Sequence, residues 1–196
     1  DNVSIGSNST IEPNVTIQRG CQIGSNCFIS PGVVIGSEGF GNARDVDKKW
    51  SPIAHLGNVL IGDNVSVGAN TTIDRGTISH TEIHNGVKID NLIQIAHNVI
   101  IGEDTAIAAK TGIAGTTTIG KRCMIGGAVG IVGHLKIADD VVINATSTVN
   151  RDITKPGTYT GFVPLMLHSE WKKVGIWLTK LDKIATFMKI KLKNIR

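Results

Sequence analysis

Residues Ile83 to Val149 read IHNGVKIDNLIQIAHNVIIGEDTAIAAKTGIAGTTTIGKRCMIGGAVGIVGHLKIADDVVINATSTV. Taking every sixth residue from Ile83 gives twelve positions, of which eleven are isoleucine and the last is Val149. A repeat of six matches neither the period of a helix, about 3.6 residues, nor the strict alternation of a half-buried strand. Each group of six is therefore predicted to form one short strand and one turn, with the isoleucine side chain inside.

The repeat of six predicts a triangular solenoid. Three groups of six close one coil, so equivalent positions recur every 18 residues. Successive coils then stack as parallel strands about 4.8 Å apart. The same pattern starts at Ile5, is interrupted, and resumes at Ile61. A β-helix is predicted over residues 1–152, with a loop insertion at about 37–58.

Composition and charge narrow the class of protein. The 196 residues include 23 Gly and 5 Pro, and no run approaches the roughly 18 apolar residues of a membrane-spanning helix. From Met166 onward there are eight Lys or Arg and two Asp or Glu, whereas the rest of the chain sums to −2. The basic character is therefore confined to the tail, which predicts no nucleic-acid partner and at most peripheral membrane contact.

The two ends and the cysteines add three expectations. The chain begins in repeat register without a signal-peptide pattern, so we expect it to be cut from a longer protein or to lack an N-terminal domain. Cys21, Cys27 and Cys123 each precede a core isoleucine by two residues, at a small inward-facing position. They are predicted to be buried free thiols that form no disulfide or zinc site, which fits a cytoplasmic protein.

The C-terminal tail has a different period. A connector is predicted over residues 153–168, and residues 169–196 are predicted to form an amphipathic helix. Its apolar residues alternate in steps of three and four, which is the heptad pattern of a coiled coil. A single β-helix offers no surface to bury this seam, so three copies are predicted to bury it as a bundle in a homotrimer. The seam comprises Trp171, Val174, Leu178, Leu181, Ala185, Met188, Leu192 and Ile195.

Two histidines are predicted to share one corner of the solenoid. His97 follows the core residue Ile95 by two positions, and His134 follows Ile131, two coils later, by three. The strand spacing places them about 10 Å apart along the axis. Gly115 lies between them, 18 residues after His97.

This corner suits acyl transfer. The His97 imidazole can take a proton from an attacking amine or hydroxyl group. Asp90, or Asp74 one coil below, is a candidate to hold its other ring nitrogen, and the Gly115 N–H is a candidate to stabilise an oxyanion. No Ser or Cys is placed as a nucleophile, so direct attack on a thioester is predicted. Surface or loop positions are predicted for the remaining histidines, His55, His80, His84 and His168.

Several motifs resemble one family, the UDP-3-O-acylglucosamine N-acyltransferases, within the hexapeptide-repeat acyltransferases. They are Gly39-Phe40-Gly41, Thr72-Ile73-Asp74-Arg75-Gly76, Ile89-Asp90-Asn91, Gln94-Ile95-Ala96-His97-Asn98, Met124-Ile125-Gly126-Gly127-Ala128 and Gly133-His134. The resemblance implies a left-handed parallel β-helix followed by a C-terminal α-helix. It also implies transfer of a 3-hydroxyacyl chain from acyl carrier protein to the 2-amino group of UDP-3-O-acylglucosamine, a step of lipid A biosynthesis.

The resemblance also implies roles for particular residues. His97 is the general base and His134 supports the site, and both are grouped with Asp90 and Gly115 as catalytic candidates. The substrate-binding candidates are Phe40, Asp74, Asn91 and Gln94. No cofactor is expected, because the donor protein carries the acyl-phosphopantetheine. Lys172 and Lys173 are expected to dock the acidic acyl carrier protein. The family has an N-terminal domain that contacts the uracil of the substrate; this chain is expected to lack it and therefore to have reduced activity.

Three other interpretations stay open from the sequence. One is a different hexapeptide enzyme, either a UDP-sugar O-acyltransferase or a CoA-dependent acetyltransferase. A second is a zinc enzyme of the γ-carbonic anhydrase type, but Asp139 and Asp140 stand where a third histidine ligand is needed. The third is a non-catalytic trimeric scaffold.

Overall fold

A computed structural model of the chain describes residues 1–189. It contains two compact units, Asp1–Phe162 and a second that begins at Val163. The first unit is a solenoid of parallel strands with three faces, and the second is helical. The predicted fold class, a parallel β-helix of six-residue repeats followed by a helical tail, is confirmed.

Each face of the solenoid is one parallel sheet. The first face contains β1 (Ser4–Ile5), β4 (Gln22–Ile23), β9 (Val59–Ile61), β12 (Thr81–Ile83), β15 (Ile100–Ile101), β18 (Thr118–Ile119) and β21 (Lys136–Ile137). The second contains β2 (Thr10–Ile11), β5 (Phe28–Ile29), β10 (Ser66–Val67), β13 (Lys88–Ile89), β16 (Ala106–Ile107), β19 (Met124–Ile125), β22 (Val141–Ile143) and β24 (Gly157–Tyr159). The third contains β3 (Thr16–Ile17), β6 (Val34–Ser37), β11 (Thr72–Asp74), β14 (Gln94–Ile95), β17 (Gly112–Ile113), β20 (Gly130–Ile131) and β23 (Thr148–Val149).

The isoleucines form columns inside the solenoid because neighbouring coils pair with their inward-facing aliphatic residues opposite one another. Ile95, for example, stands opposite Ile73 on one side and Ile113 on the other. The Ala96 N–H donates to the Ile113 carbonyl at 3.0 Å, which continues the ladder beyond the strand. Aliphatic side chains fill the interior, and the three cysteines are buried and free, as predicted.

The corners require left-handed backbone. At the third corner, where the chain passes from the third face to the first, Asn98, Thr116 and His134 have φ values of 60°, 62° and 63°. Asparagine tolerates this region, whereas a β-branched threonine adopts it only at an energetic cost. The stacked coils impose the conformation, since each corner must turn at the same place as the corner below it.

The insertion is an ordered hairpin. β7 (Asn42–Arg44) pairs antiparallel with β8 (Trp50–Pro52), and the Arg44 guanidinium lies 5.2 Å from the centre of the Trp50 ring. Phe40, just before the hairpin, is 84% exposed. The solenoid resumes at β9, in agreement with the predicted insertion at about 37–58.

The solenoid continues beyond its predicted end at residue 152. Ile153 is buried and bridges to Ile137, and β24 pairs with β22. The segment predicted to be a connector therefore adds a last partial coil over the aliphatic core. This layer covers side chains that would otherwise face water at the end of the stack.

The prediction of a single helix over residues 169–196 is wrong, because the structure has two helices in this region. The structure has α1 (His168–Thr179) and α2 (Leu181–Phe187), with a break at Lys180. The Thr179 hydroxyl donates back to the Ile176 carbonyl, a contact that bends or ends helices. Residues 190–196, with the seam residues Leu192 and Ile195, lie outside the described residues. Within residues 1–189, no helix combines the length and apolar character needed to cross a membrane.

The columns of isoleucine predict a gradient of stability along the solenoid. Ile101 and Ile5 occupy equivalent positions on the first face, but Ile101 is 0% exposed and Ile5 is 46% exposed. Ile101→Ala is expected to lower the free energy of unfolding by about 2–5 kcal/mol, because it leaves a cavity in a packed interior. Ile5→Ala is the matched control and should cost less than about 1 kcal/mol. Urea denaturation measures both, and equal losses would contradict the gradient.

Candidate active site

The third corner brings the two predicted histidines into one column of stacked turns. The Thr116 N–H donates to the His97 carbonyl at 2.9 Å, and the His134 N–H donates to the Gly115 carbonyl at 3.0 Å. His134 therefore lies on the same corner as His97, as predicted. It occupies the register position of Asn98 and Thr116 rather than that of His97, and its side chain is exposed.

Asn98 holds the His97 ring. The His97 Nδ1 lies 3.0 Å from Asn98 Oδ1. The same oxygen accepts hydrogen bonds from the Thr77 backbone N–H at 3.0 Å and from the Thr77 hydroxyl at 2.9 Å. On its other side, the Asn98 amide nitrogen donates to the carbonyl and hydroxyl oxygens of Ser79. Four contacts therefore fix the Asn98 side chain against the loop that precedes β12, and the fifth joins it to the His97 ring.

This arrangement selects one tautomer of His97. A backbone N–H can only donate, so the Asn98 atom facing Thr77 is the oxygen and acts as an acceptor. The His97 Nδ1 must therefore carry the hydrogen that it donates to this oxygen. In the neutral ring, Nε2 then bears the lone pair. His97 Nε2 has no hydrogen-bond partner within residues 1–189 and is not among the buried unpartnered atoms, so it is open to a bound molecule.

Gly115 lies directly against the His97 ring. A Cβ added at this position would lie 2.6 Å from both Cε1 and Nε2 of His97, so any side chain would displace the imidazole. The Gly115 N–H finds no acceptor in the described part of the chain, and the same holds for the backbone N–H of His97. The corner therefore offers a free N–H donor beside the open nitrogen of the imidazole.

Asp74 is buried close to the histidines. Its carboxylate accepts hydrogen bonds from the Ser37 hydroxyl at 2.9 Å and from the Gln94 amide at 2.8 Å, and it is 8% exposed. Burial raises the pKa of Asp74, whereas these two hydrogen bonds and the nearby imidazoles of His97 and His55 lower it. The structure thus brings Asp74 and Gln94 together below His97, without a direct hydrogen bond from Asp74 to the His97 ring.

Asp90 does not orient His97. Its carboxylate accepts hydrogen bonds from the backbone N–H groups of Asn91 and Ala109, at 2.8 and 3.1 Å, at the corner between the second and third faces. The Asn91 side-chain oxygen likewise accepts from the Ala69 N–H at 2.7 Å. Both candidates therefore stabilise turns at a different corner. Spacing along the chain suggested proximity, but strand β14 separates the two corners.

His55 lies in the loop that follows β8, one of the two positions predicted for it, but it is buried rather than on the surface. Only 2% of it is exposed, and its ring packs edge-on against the His97 ring, with the centroids 5.5 Å apart. Its Nδ1 lies 2.9 Å from the Ile53 carbonyl, and its Nε2 is buried without a hydrogen-bond partner in the described part of the chain. Gly39 and Gly41 lie against it, since a Cβ at either position would approach the His55 ring. The insertion thus reaches the site.

The remaining candidates lie elsewhere. His80 accepts a hydrogen bond from the Asn58 N–H, His84 lies 3.4 Å from a carboxylate oxygen of Glu82, and His168 begins α1. Lys172 and Lys173 are exposed on α1, in the second unit. Among residues 1–189, no three His, Cys, Asp or Glu side chains converge closely enough to hold a metal ion.

Sequence reasoning also missed a buried arginine. Arg75 is buried and donates to the Arg19 carbonyl, and its guanidinium lies 3.4 Å from the Asn58 amide oxygen. It thereby ties the end of β11 to the second coil and to the end of the insertion. The sequence shows Arg75 inside an Asp-Arg-Gly motif, but a charged side chain on a solenoid corner is ordinarily solvated, so its burial was not predicted. Asn98 belongs to a motif noted in the sequence, but its role in holding the His97 ring is apparent only from its contacts.

Family profiles and a solved structure share the six-residue repeat and the fold described above. The family profile described as "Bacterial transferase hexapeptide (six repeats)" matches residues 2–37 and 80–115, and "Hexapeptide repeat of succinyl-transferase" matches residues 58–79. The solved structure of Francisella novicida UDP-N-acetylglucosamine acyltransferase superposes with a TM-score of 0.74 at 24% identity. That superposition covers 88% of this chain and 62% of the other, and it supports the fold alone. The chain is a hexapeptide-repeat protein of the bacterial transferase type.

Curated relatives give a closer match. The chain is 68% identical over 164 residues to UDP-3-O-acylglucosamine N-acyltransferase of Vesicomyosocius okutanii, which covers 84% of this chain and 49% of the relative. It is 48% identical over 180 residues to that of Herminiimonas arsenicoxydans, which covers 92% of this chain and 51% of the relative. The predicted resemblance to UDP-3-O-acylglucosamine N-acyltransferases is confirmed. The chain spans about half the length of these relatives.

The contacts of Asn98 predict a fixed tautomer that can be tested without any substrate. Asn98→Ala removes the acceptor of the His97 Nδ1–H and of the Thr77 N–H. The ring is therefore expected to populate both neutral tautomers, and the free energy of unfolding should fall by about 1–3 kcal/mol. Nitrogen NMR of the imidazole reports the tautomer. Asn85→Ala is the control, because its side chain supports a turn on another corner. A single unchanged tautomer in Asn98→Ala would contradict the assignment.

Proposed function

We propose that the chain is an N-acyltransferase of lipid A biosynthesis. It moves a 3-hydroxyacyl chain from acyl carrier protein to the 2-amino group of UDP-3-O-acylglucosamine. The observation that carries this proposal is the His97 imidazole, held by Asn98 in the tautomer that leaves Nε2 open beside the Gly115 N–H. The substrate follows from the printed names of the curated relatives, which the chain matches over about half of their length.

The proposed reaction is a direct transfer without an acyl-enzyme. The amine nitrogen attacks the thioester carbonyl carbon, and His97 Nε2 takes a proton from that nitrogen as the new bond forms. A general base contributes roughly 10²–10⁴-fold to such a rate. The carbonyl oxygen becomes negatively charged, and the Gly115 N–H donates to it. The tetrahedral intermediate then expels the thiolate, which accepts the proton, so the products are an amide and the free thiol of the carrier.

The surrounding residues support the charge changes in this scheme. His97 becomes positively charged when it takes the proton, and the buried Asp74 carboxylate lies within reach of that charge. Gln94 and Ser37 hold Asp74 in place by hydrogen bonds. His134 stands two coils further along the same corner than His97 and is assigned to the support of substrate. Phe40 is exposed beside Gly39 and offers an apolar ring to the substrate.

A homotrimer is part of the proposal. The helices expose large apolar side chains along their length, and none of their described residues is buried in the single chain. Exposed apolar area of this extent marks an interface. Three copies would bury these side chains against one another, although the break at Lys180 divides the seam into two segments. Trp171, Trp177, Leu178, Leu181 and Met188 are the exposed seam or flanking residues.

The proposed location is the cytoplasm, where the acyl carrier protein and a nucleotide-linked sugar are both available. The three buried free thiols are compatible with a reducing compartment. The donor protein carries its own phosphopantetheine, so the proposal includes no cofactor bound by this chain.

His97→Ala tests the base assignment. We expect transfer to the amino sugar to fall by at least about 10²-fold, because the base contributes on that scale. Sedimentation should show that the variant keeps the mass of a trimer. His84→Ala is the control, because the His84 side chain is half-exposed and pairs with Glu82 on the first face, away from the third corner. Retention of activity within tenfold of the wild-type protein would contradict the role of His97. Parallel assays with CoA thioesters and with a 2-hydroxy sugar distinguish the other acyltransferase classes.

Lys172 and Lys173 test the docking of the donor. Lys172→Glu with Lys173→Glu is expected to raise KM for acyl carrier protein about three- to tenfold at low salt, because an acidic partner is attracted less strongly. The difference should shrink at high salt. Lys136→Glu with Lys155→Glu makes the same change in net charge on the exposed surface of the solenoid and serves as the control. An equal effect of the two pairs would contradict a docking role for α1.

A further inference from the structure

The insertion has a contact that the proposed mechanism does not use. His55 follows the hairpin within the insertion. It is buried against the His97 ring, at a centroid distance of 5.5 Å and an interplanar angle of 72°. We propose that His55 is a positioning residue, which holds the imidazole of His97 in its productive orientation by packing against its edge. This inference rests on the proposed role of His97 as general base.

The orientation of His55 is itself fixed. Its Nδ1 is 2.9 Å from the Ile53 carbonyl, which can only accept, so Nδ1 carries the hydrogen and anchors the ring to the insertion. Its Nε2 is buried and has no hydrogen-bond partner among residues 1–189. Buried polar groups are normally paired, so a histidine whose role was to form hydrogen bonds on both sides would have a partner at Nε2. The contribution of the ring to the site is therefore its shape and its contact with His97.

Glycines on two sides complete the enclosure of His97. A Cβ at Gly39 would lie 3.2 Å from His97 Cδ2, 3.3 Å from His97 Cβ and 3.2 Å from His55 Nε2. A Cβ at Gly115 would lie 2.6 Å from His97 Cε1 and Nε2. The insertion thus bounds one edge of the imidazole and the next coil bounds the other. Only a ring in this orientation keeps its hydrogen bond to Asn98.

The position of His97 on the solenoid explains why its ring needs a second contact, from His55. It lies at an outer corner, where a half-buried side chain can rotate away from its partner unless neighbouring groups prevent it. A displacement of about 1 Å at a reacting group can cost about 10²-fold in rate. The hydrogen bond that His97 Nδ1 donates to Asn98 fixes the ring at a single point, and the His55 contact provides a second. The insertion therefore contributes to the site of the solenoid that it interrupts.

Two substitutions at residue 55 separate packing from other roles. His55→Ala removes the ring, and we expect kcat to fall about 10–100-fold while KM for the sugar substrate stays within about twofold. His55→Phe keeps a ring of similar shape, and its kcat should recover to within about threefold of the wild-type value. His84→Ala and His84→Phe are the controls. A kcat of His55→Ala within twofold of wild type overturns the proposal, and so does a folded His55→Phe that is as impaired as His55→Ala.

Gly39→Ala provides a variant that leaves both histidines in place. Its added methyl group should push the two rings apart by a few tenths of an ångström and lower kcat about tenfold. Gly127→Ala is the matched control, because its Cβ would approach only the Ala109 carbonyl, at 3.3 Å, on a different corner. If Gly39→Ala and Gly127→Ala have the same kcat, the proposal fails, whether or not His55→Ala folds.

NMR of the His97 ring separates this inference from the proposed function. The ¹H–¹³Cε1 signal of His97 should be single in the wild-type chain and in His55→Phe, and doubled or broadened in His55→Ala, because the free ring exchanges between orientations. This measurement needs no turnover. A wild-type chain that transfers no acyl group contradicts the proposed function, and the NMR signals still decide the role of His55. An unchanged single signal in His55→Ala overturns the positioning role.

Discussion

The structure depends on one constraint, the pairing of each backbone segment with the equivalent segment of the next coil while one aliphatic side chain per strand enters the interior. In the regular coils from β12 to β23 this partner lies 18 residues later. The Ala96 N–H bonds to the Ile113 carbonyl and the Ala114 N–H bonds to the Ile131 carbonyl, so the ladder repeats without change of register. Burial of the isoleucines makes any slip costly, because a shift of one residue would turn them outward. Within the regular coils, the height of a surface residue along the axis is thereby determined by its number.

The same constraint creates the candidate site. Stacked corners must repeat one left-handed turn, and this places Asn98, Thr116 and His134 in a column with φ near 60°. Asn98 uses that conformation to direct its side chain at once to Thr77, Ser79 and the His97 ring. The coils above and below hold the corner in this strained conformation. His97 therefore has a defined tautomer, which a flexible loop would not impose.

The insertion supplies what the regular coils lack. A solenoid corner is convex and leaves a side chain open on several sides, whereas Gly39, Gly41 and His55 bring backbone and a buried ring against His97. Asp74, at the irregular end of β11 where the register with β6 shifts, adds a buried carboxylate below. The irregular parts of the chain thus converge on the one corner that carries the chemistry. The regular parts provide the rigid frame.

The sequence by itself determined the solenoid, its register, the inward cysteines, the limits of the insertion and the shared corner of His97 and His134. All of these follow from a period of six, which is local and exact enough to be counted. Only the tertiary structure decided that Asn98 rather than Asp90 orients His97, that His55 is buried beside it, and that the helix breaks at Lys180. Asp90 and His97 are near in sequence but occupy different corners, and His55 is distant in sequence but folds back. The physical reason is that periodic burial places residues along the axis, whereas contacts made by an insertion depend on where a non-repeating backbone packs.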